Sequence, residues 1–131
     1  MGFDQYHEPA DELPAEIRTF ARINASLTEE AEAISWYEQR MALEPDPQAR
    51  AIMADAQGEE FKHFAMNLEF LLRRSPRWRE IARGVLFQDG DIVEHGEASE
   101  AAANGEGEEA SGPSSSGGSG SLGIGNLKGR P

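Results

Sequence analysis

Three polar residues fall at positions where a repeating pattern requires apolar side chains. Glu60 and His63 are three residues apart, so in a helix they lie on one face, in the same stripe as Ala56 and Phe70. Glu30 interrupts an earlier apolar stripe in the same way. Burying a lone carboxylate costs several kcal/mol unless it is neutralised, paired with a base or bound to a metal. No Lys or Arg lies in either stripe near these residues, so metal binding is the leading interpretation.

The chemistry of these side chains narrows the choice of metal. Because the chain has no cysteine, a metal must be held by oxygen and nitrogen ligands, which suit Fe(II), Mn(II) or Zn(II). Carboxylates favour Fe(III) once iron is oxidised. In di-iron carboxylate bundles, two helices each contribute a Glu-x-x-His pair and two further helices each contribute a glutamate. This chain has half of that set, so two copies related by a two-fold axis are expected to complete a four-helix bundle around two metals.

Two long helices joined by a short turn are predicted to position these residues. In the first helix, apolar residues recur at alternating steps of three and four from Phe20 to Met41, and "EPDP" at 44–47 ends it because proline cannot continue a helix. The second helix, about 47–74, repeats the pattern, and a short third helix begins at Pro76. The predicted fold is all-α, an antiparallel two-helix hairpin plus a short C-terminal helix.

A tight hairpin also fixes the heights of the candidate ligands. Glu30 and Glu60 lie equally far from Pro45, 15 residues on either side, so both are about 22 Å from the turn at 1.5 Å per residue. Tyr37 lies further along the stripe of Glu30. It is predicted to donate a hydrogen bond to a metal-bound carboxylate or oxygen species.

Each residue also has an ordinary structural explanation. A Glu-x-x-His pair is common by chance, and a lone glutamate in an apolar stripe is more often a surface residue at the edge of its helix. The joint occurrence on two stripes, level with each other and without a basic partner, favours metal binding. Taken alone, Glu29 and Glu32 are better explained as a solvated acidic face, and Trp36 as a packing residue. Glu59 is one step off the stripe and is kept as a candidate outer carboxylate.

Composition divides the chain into four segments: an irregular N-terminus (1–13), a helical domain (14–87), a disordered linker (88–120) and a C-terminal peptide (121–131). From residue 88 onward there are eight acidic residues, two basic ones, 11 of the 14 glycines and no aromatic residue, so too little apolar surface can be buried to offset chain entropy. The net charge of −12 argues against nucleic-acid binding, which needs a basic surface. With no run of 18 apolar residues and no signal-peptide pattern, neither membrane insertion nor secretion is predicted.

The last residues, "SLGIGNLKGRP", differ from the acidic segment before them. They combine the apolar Leu122, Ile124 and Leu127 with the basic Lys128 and Arg130. An apolar and basic segment at the tip of a flexible tether is typical of a docking peptide. The alternative is an ordinary disordered terminus.

The chain resembles the encapsulated ferritins, the iron-oxidising cargo proteins of bacterial encapsulin compartments. The resemblance rests on "EEAEAISWYEQR" (29–40), "EEFKH" (59–63) and "SLGIGNLKGR" (121–130). It implies a ferritin-like di-iron ferroxidase site shared by two protomers, and a homodecameric ring of five dimers. It also implies residue roles: iron ligands at Glu30, Glu60 and His63, a metal entry site at Glu29 and Glu32, and an aromatic pair beside the centre at Trp36 and Tyr37.

The function expected from the residues and the resemblance is oxidation of Fe(II) to Fe(III) with dioxygen, with two irons per dimer interface. Other divalent metals are expected to bind the same ligands. Residues 121–130 are expected to bind an encapsulin shell in the cytoplasm, inside which the iron is stored as a mineral. Ser35 and Gly58 stand where the family often has an acidic residue, and "EEFKH" stands where "EEKEH" is usual, which affects outer metal contacts and ring interfaces rather than the ligands. Two alternatives remain: a non-catalytic oligomeric scaffold, and a di-metal protein for peroxide scavenging or for zinc or manganese binding.

Overall fold

The computed structural model describes residues 5–111, with side chains described as far as residue 105. The chain divides into two compact units, Met1–Arg74 and Ser75–Pro131. The described residues form helices and connecting segments with no β-strand, which confirms the predicted all-α fold. None of these helices is both long and apolar enough to cross a membrane. The C-terminal peptide at 121–131 and residues 112–120 of the predicted linker lie outside the described residues.

The first unit is the predicted antiparallel hairpin. Helix α1 spans Ala15–Leu43 and helix α2 spans Pro47–Arg73. The turn between them ends α1 at an extended Glu44 and starts α2 at Asp46, whose carboxylate accepts hydrogen bonds from the backbone N–H groups of Gln48 (2.8 Å) and Ala49 (3.1 Å). This cap and a proline at the first helical position fix where α2 begins, as the "EPDP" segment predicted.

The segment before α1 is partly ordered. A short 3-10 helix, Ala10–Glu12, lies within the N-terminal residues that were predicted to be irregular. Arg18 of α1 holds this segment, since its Nη1 donates to the carbonyl oxygens of Ala10 (3.2 Å) and Leu13. These two contacts connect the entry segment to the first turns of the hairpin.

The hairpin has a thin core. No side chain of α1 is fully buried, and α2 buries only Gln57, Leu71 and Leu72. Large apolar side chains stay in contact with solvent, including Ile52 (66% exposed) and Met66 (60% exposed). A pair of helices can bury one stripe on each helix, which leaves these apolar side chains in contact with water.

The second unit is a smaller hairpin of α3 (Pro76–Val85) and α4 (Ile92–Ser111). The predicted third helix at Pro76 is present. The prediction that residues 88–120 form a disordered linker is wrong for Ile92–Ser111, which form α4. The turn between the helices contains Phe87 at φ 63° and Gly90 at φ 102°.

Helix α4 forms because local capping and close packing offset its poor composition. Asp91 accepts a hydrogen bond from the backbone N–H of Glu94 (2.9 Å) at the start of the helix. Arg77 of α3 donates from Nε (2.9 Å) and Nη2 (2.6 Å) to Asn104 Oδ1. A Cβ atom built at Gly84 would lie 1.8 Å from Ser99 Oγ, so glycine lets the two helices approach closely.

Candidate metal centre

The hairpin brings Glu30 of α1 together with Glu60 and His63 of α2. One ligand atom from each of the three side chains can be chosen so that all lie within 4.8 Å of one another. His63 Nδ1 is 3.6 Å from Glu60 Oε1 and 3.9 Å from Glu30 Oε1. Among the described side chains, those of residues 5–105, this is the only such group of three His, Cys, Asp or Glu residues.

The two distances from His63 Nδ1 are longer than direct hydrogen bonds and lie in the range expected for two ligands of one ion. Both contacts of His63 Nδ1 exceed the usual N–H···O range of about 2.7–3.2 Å. Two atoms bound to one ion at about 2.1 Å are separated by roughly 3.0–4.2 Å, depending on the angle between the bonds. The donor set and its spacing therefore fit a divalent metal with carboxylate and imidazole ligands.

The cluster lies at the edge of the hairpin rather than in its interior. The Glu30 and Glu60 side chains are 21% and 23% exposed, whereas the His63 side chain is 45% exposed. Ile52 and Met66 lie 11 residues before and three residues after His63, which places both on the same face of α2. The candidate ligands thus open onto an exposed, partly apolar surface.

Crowding of the carboxyl groups affects the protonation of Glu30. A hydrogen bond with the Glu60 carboxyl, partial burial and the negative charge of Glu60 raise the pKa of Glu30. The charge of Glu29 adds to this rise, and His63 partly opposes it. A raised pKa means that the metal-free protein resists holding both carboxylates ionised at this place, which a bound cation would reverse.

The remaining candidates are not part of this cluster. Tyr37 lies two turns beyond Glu30 on α1, about 10 Å along the helix axis, and its ring is 5.1 Å from the guanidinium carbon of Arg40. Its role at the metal stays a prediction. Glu29 is exposed and Glu32 is partly exposed, and neither contributes to the cluster. Trp36 is 49% exposed, so packing within this chain does not account for it.

Glu59 has a partner of its own. Its Oε1 is 2.7 Å from Lys62 Nζ, and both side chains are more than half exposed. The ammonium group lowers the pKa of Glu59, so its carboxylate remains ionised on the surface. Lys62 therefore competes with any metal for the outer carboxylate proposed at this position.

Sequence reasoning missed one buried polar residue near the cluster. Gln57 of α2 is only 6% exposed, and its Nε2 donates to the Ile34 carbonyl oxygen (3.0 Å) and to Glu38 Oε1 (2.9 Å). Gln57 follows Met53 by four residues and precedes Phe64 by seven, so it interrupts the apolar face toward α1. That interruption was the available sequence signal.

Comparison with known proteins places the hairpin in a family. The EncFtn-like family matches residues 5–89, which include α1, α2 and α3. The chain is 42% identical over 123 residues to the encapsulated ferritin-like protein of Rhodospirillum rubrum, covering 94% of this chain and 87% of the relative. It is 46% identical over 91 residues to a ferritin-like protein of Thermotoga maritima, covering 70% of this chain and 80% of the relative.

A solved structure shares the fold and much of the sequence. A crystal structure of a protein from Nitrosomonas europaea superposes with a TM-score of 0.66 at 38% identity, covering 68% of this chain and 98% of the other. The family match, the identity to the curated relatives and the shared fold all extend over most of the chain. The chain therefore belongs to the EncFtn-like family of encapsulated ferritins.

Proposed function

We propose that this protein is a ferroxidase whose di-iron site is shared by two copies of the chain. The observation that supports it most directly is the convergence of Glu30, Glu60 and His63 within 4.8 Å on an exposed face of the hairpin. One copy supplies a glutamate from one helix and a Glu-x-x-His pair from the other, which is half of the ligand set of a di-iron carboxylate bundle. A two-fold dimer supplies the other half.

The surface around the cluster supports pairing of two copies. Ile52 and Met66 lie on the face of α2 that carries His63 and are more than half exposed in the single chain. Covering them removes apolar area from water, at roughly 25 cal/mol per Å². The same contact buries the carboxylates and brings two clusters together, so dimerisation and metal binding are expected to depend on each other.

The residues divide into binding and supply roles. Glu30, Glu60 and His63 hold Fe(II), and their carboxylates stabilise the Fe(III) product. Tyr37 is assigned the hydrogen bond to a ligand at the centre, and Glu29 and Glu32 attract cations from solvent toward it. Each Fe(II) loses one electron, so two Fe(II) ions and two protons convert one dioxygen into hydrogen peroxide, and four Fe(II) ions with four protons convert it into water.

Assembly and location are proposed from the sequence and from the name of one relative. The relative from Rhodospirillum rubrum is named an encapsulated ferritin-like protein. We assign residues 121–130 to docking on an encapsulin shell, inside which the Fe(III) is stored, and assign a ring of five dimers as the oligomer. The shell complex is then cytoplasmic. Deleting residues 121–131 is expected to leave iron oxidation unchanged and to abolish co-purification with a co-expressed shell protein.

The enzymatic proposal is tested by iron oxidation. Fe(II) is added anaerobically to the full chain, air is admitted, and Fe(III) absorbance is followed against a protein-free blank. The parent is expected to oxidise iron faster than the blank, whereas Glu60→Gln and His63→Ala are expected to match it. Glu16→Gln, an exposed change in the first turn of α1, is the control that should retain the parent rate. A parent rate equal to the blank rules out the ferroxidase assignment.

A further inference from the structure

Gln57 is a buried amide that connects the two helices of the hairpin. It is 6% exposed, and its side-chain nitrogen makes two hydrogen bonds, both to α1. The partners are a carbonyl oxygen, of Ile34, and a carboxylate oxygen, of Glu38. Both partners are acceptors, so the amide nitrogen and not the amide oxygen must face them. The two N–H groups of one side chain are thus both used in fixing α2 to α1.

The Gln57 hydrogen bonds lie close to the candidate metal ligands. Ile34 is one helical turn after Glu30, and Gln57 is one turn before Glu60 and two turns before His63. The bonds therefore cross between the helices about one turn from the ligand cluster, on the side of the hairpin turn. Helices that slide by one residue move by 1.5 Å and rotate the affected side chain by about 100°.

Apolar packing alone does not resist such a shift. A leucine or methionine at this interface keeps similar contacts after a small displacement, because dispersion and burial have little directional preference. A buried donor is different, because leaving it without an acceptor costs about 1–3 kcal/mol. Gln57 binds acceptors on two successive turns of α1, so its bonds favour one register of the hairpin.

We propose that Gln57 is a positioning residue that fixes the height of Glu30 relative to Glu60 and His63. The inference rests on the proposed metal site, since it assigns Gln57 a role in the geometry of that site. Gln57 does not touch the metal or the reacting atoms. It acts through the backbone of α1 at Ile34 and through the Glu38 side chain.

Co(II) alone tests this role without iron oxidation. The visible absorption of bound Co(II) reports both affinity and ligand geometry. Gln57→Leu keeps a side chain of similar size and removes both hydrogen bonds. It is expected to weaken Co(II) binding about ten-fold, which is the low end of the loss seen when residues that support metal ligands are replaced. Its absorption band is also expected to shift, which lower stability alone would not cause. Gln48→Leu, an exposed change on the same helix, should bind Co(II) as the parent does.

Exchanging the amide and the carboxylate tests the hydrogen bond between Gln57 and Glu38. Gln57→Glu places a third acceptor opposite the Ile34 carbonyl and the Glu38 carboxylate and should weaken Co(II) binding at least as much as Gln57→Leu. Adding Glu38→Gln supplies an N–H donor from the other side, so the double variant is expected to bind Co(II) more tightly than Gln57→Glu alone. Glu38→Ala removes one of the two bonds from an exposed residue and should weaken binding about three-fold, which gives a second measurement if Gln57→Leu does not fold.

The outcomes separate this inference from the proposed function. The role is refuted if the parent binds Co(II) and Gln57→Leu binds it with the same affinity and spectrum. If Gln57→Leu does not fold, the same result for Glu38→Ala refutes the role. Failure of the parent to bind Co(II) would remove the metal site, and the inference with it. Weakened binding with a shifted spectrum in Gln57→Leu, together with recovery in the double variant, supports the role.

Discussion

Glu30→Gln is expected to stabilise the metal-free protein and to destabilise the metal-bound one. The introduced glutamine has the shape of a protonated Glu30 and can still donate a hydrogen bond to Glu60, but it cannot ionise. In the parent, the pKa of Glu30 is raised by Glu60 and by partial burial, so ionising it near neutral pH opposes folding. The substitution removes that opposition, whereas a bound metal needs the carboxylate.

The size of the effect follows from the separation of the two carboxyl groups. Carboxylate oxygens no more than 4.8 Å apart, each carrying a unit charge, repel by at least roughly 3.5 kcal/mol at an effective dielectric constant of about 20, before water contact and protonation reduce it. About a fifth of each side chain remains in contact with water, and Glu30 escapes part of the repulsion by protonation. We therefore expect Glu30→Gln to raise the free energy of unfolding of the metal-free protein by about 1–2 kcal/mol at neutral pH.

The sign of the pH dependence is fixed by the direction of the pKa shift. A carboxyl group whose pKa is raised in the folded state contributes its stability below its ordinary value of 4.5 and loses it as the pH rises through the folded pKa. The advantage of Glu30→Gln over the parent should therefore be absent below about pH 4.5 and should grow above it. With metal at 100 times its dissociation constant, the parent gains about 2.7 kcal/mol, so the order of stability reverses.

The assay is urea unfolding of the full chain with chelator, and again with Co(II), at several pH values and one protein concentration. The protein concentration is fixed because the proposed association of two copies would also contribute to stability. Glu32→Gln removes the same charge from the same helix outside the cluster and should change stability by less than about 0.5 kcal/mol. The explanation that Glu60 raises the pKa of Glu30 is wrong if Glu30→Gln destabilises the metal-free protein, or if its effect on stability is the same at pH 4 and pH 7.

Two further predictions concern other parts of the molecule, and a third concerns metal binding at the cluster. Gly84→Ala should loosen α4 from α3 and lower the free energy of unfolding by about 1–3 kcal/mol, because the new Cβ would lie 2.8 Å from Ser99 Cβ. Amide hydrogen exchange in α4 should become faster, and adding Ser99→Gly should restore its protection. Asp46→Ala should lower the free energy of unfolding by about 1 kcal/mol, since two backbone N–H groups lose their acceptor, and an unchanged urea midpoint would contradict the cap. Co(II) affinity of the parent should rise with pH above 4.5, because the raised pKa of Glu30 makes metal compete with a proton; a pH-independent dissociation constant between pH 5 and 7 would contradict this.

The first unit could be predicted because its elements are set by local rules. The three- and four-residue spacing of apolar residues sets the helices, and the prolines at 45 and 47 set the turn. Once the turn is fixed, the heights of Glu30 and Glu60 follow from the rise per residue. Polar residues on apolar stripes then identify the cluster, because burying them without a partner is costly.

Features that depend on contacts between elements could not be predicted in this way. The sequence shows that Gln57 is polar, but its partners on α1 are known only once the hairpin register is known. The glycine-rich composition after residue 88 suggested disorder, whereas Gly84 and Ser99 use small side chains to bring α3 and α4 together. The roles assigned to Trp36 and Tyr37 rest on the proposed second copy of the chain, whose contacts no pattern within one chain reports.

Helix α4 also limits how far the proposed docking peptide can be from the folded protein. Had residues 88–120 all been free chain, the peptide could have reached about 110 Å at roughly 3.3–3.6 Å per residue. With Ile92–Ser111 helical, ten peptide links separate Ser111 from Ser121, so covalent geometry allows at most about 35 Å between them. If the peptide binds the shell as proposed, the end of α4 must lie within about 35 Å of the shell wall. Inserting residues between 112 and 120 would then increase the distance from the wall at which the proposed iron oxidation takes place.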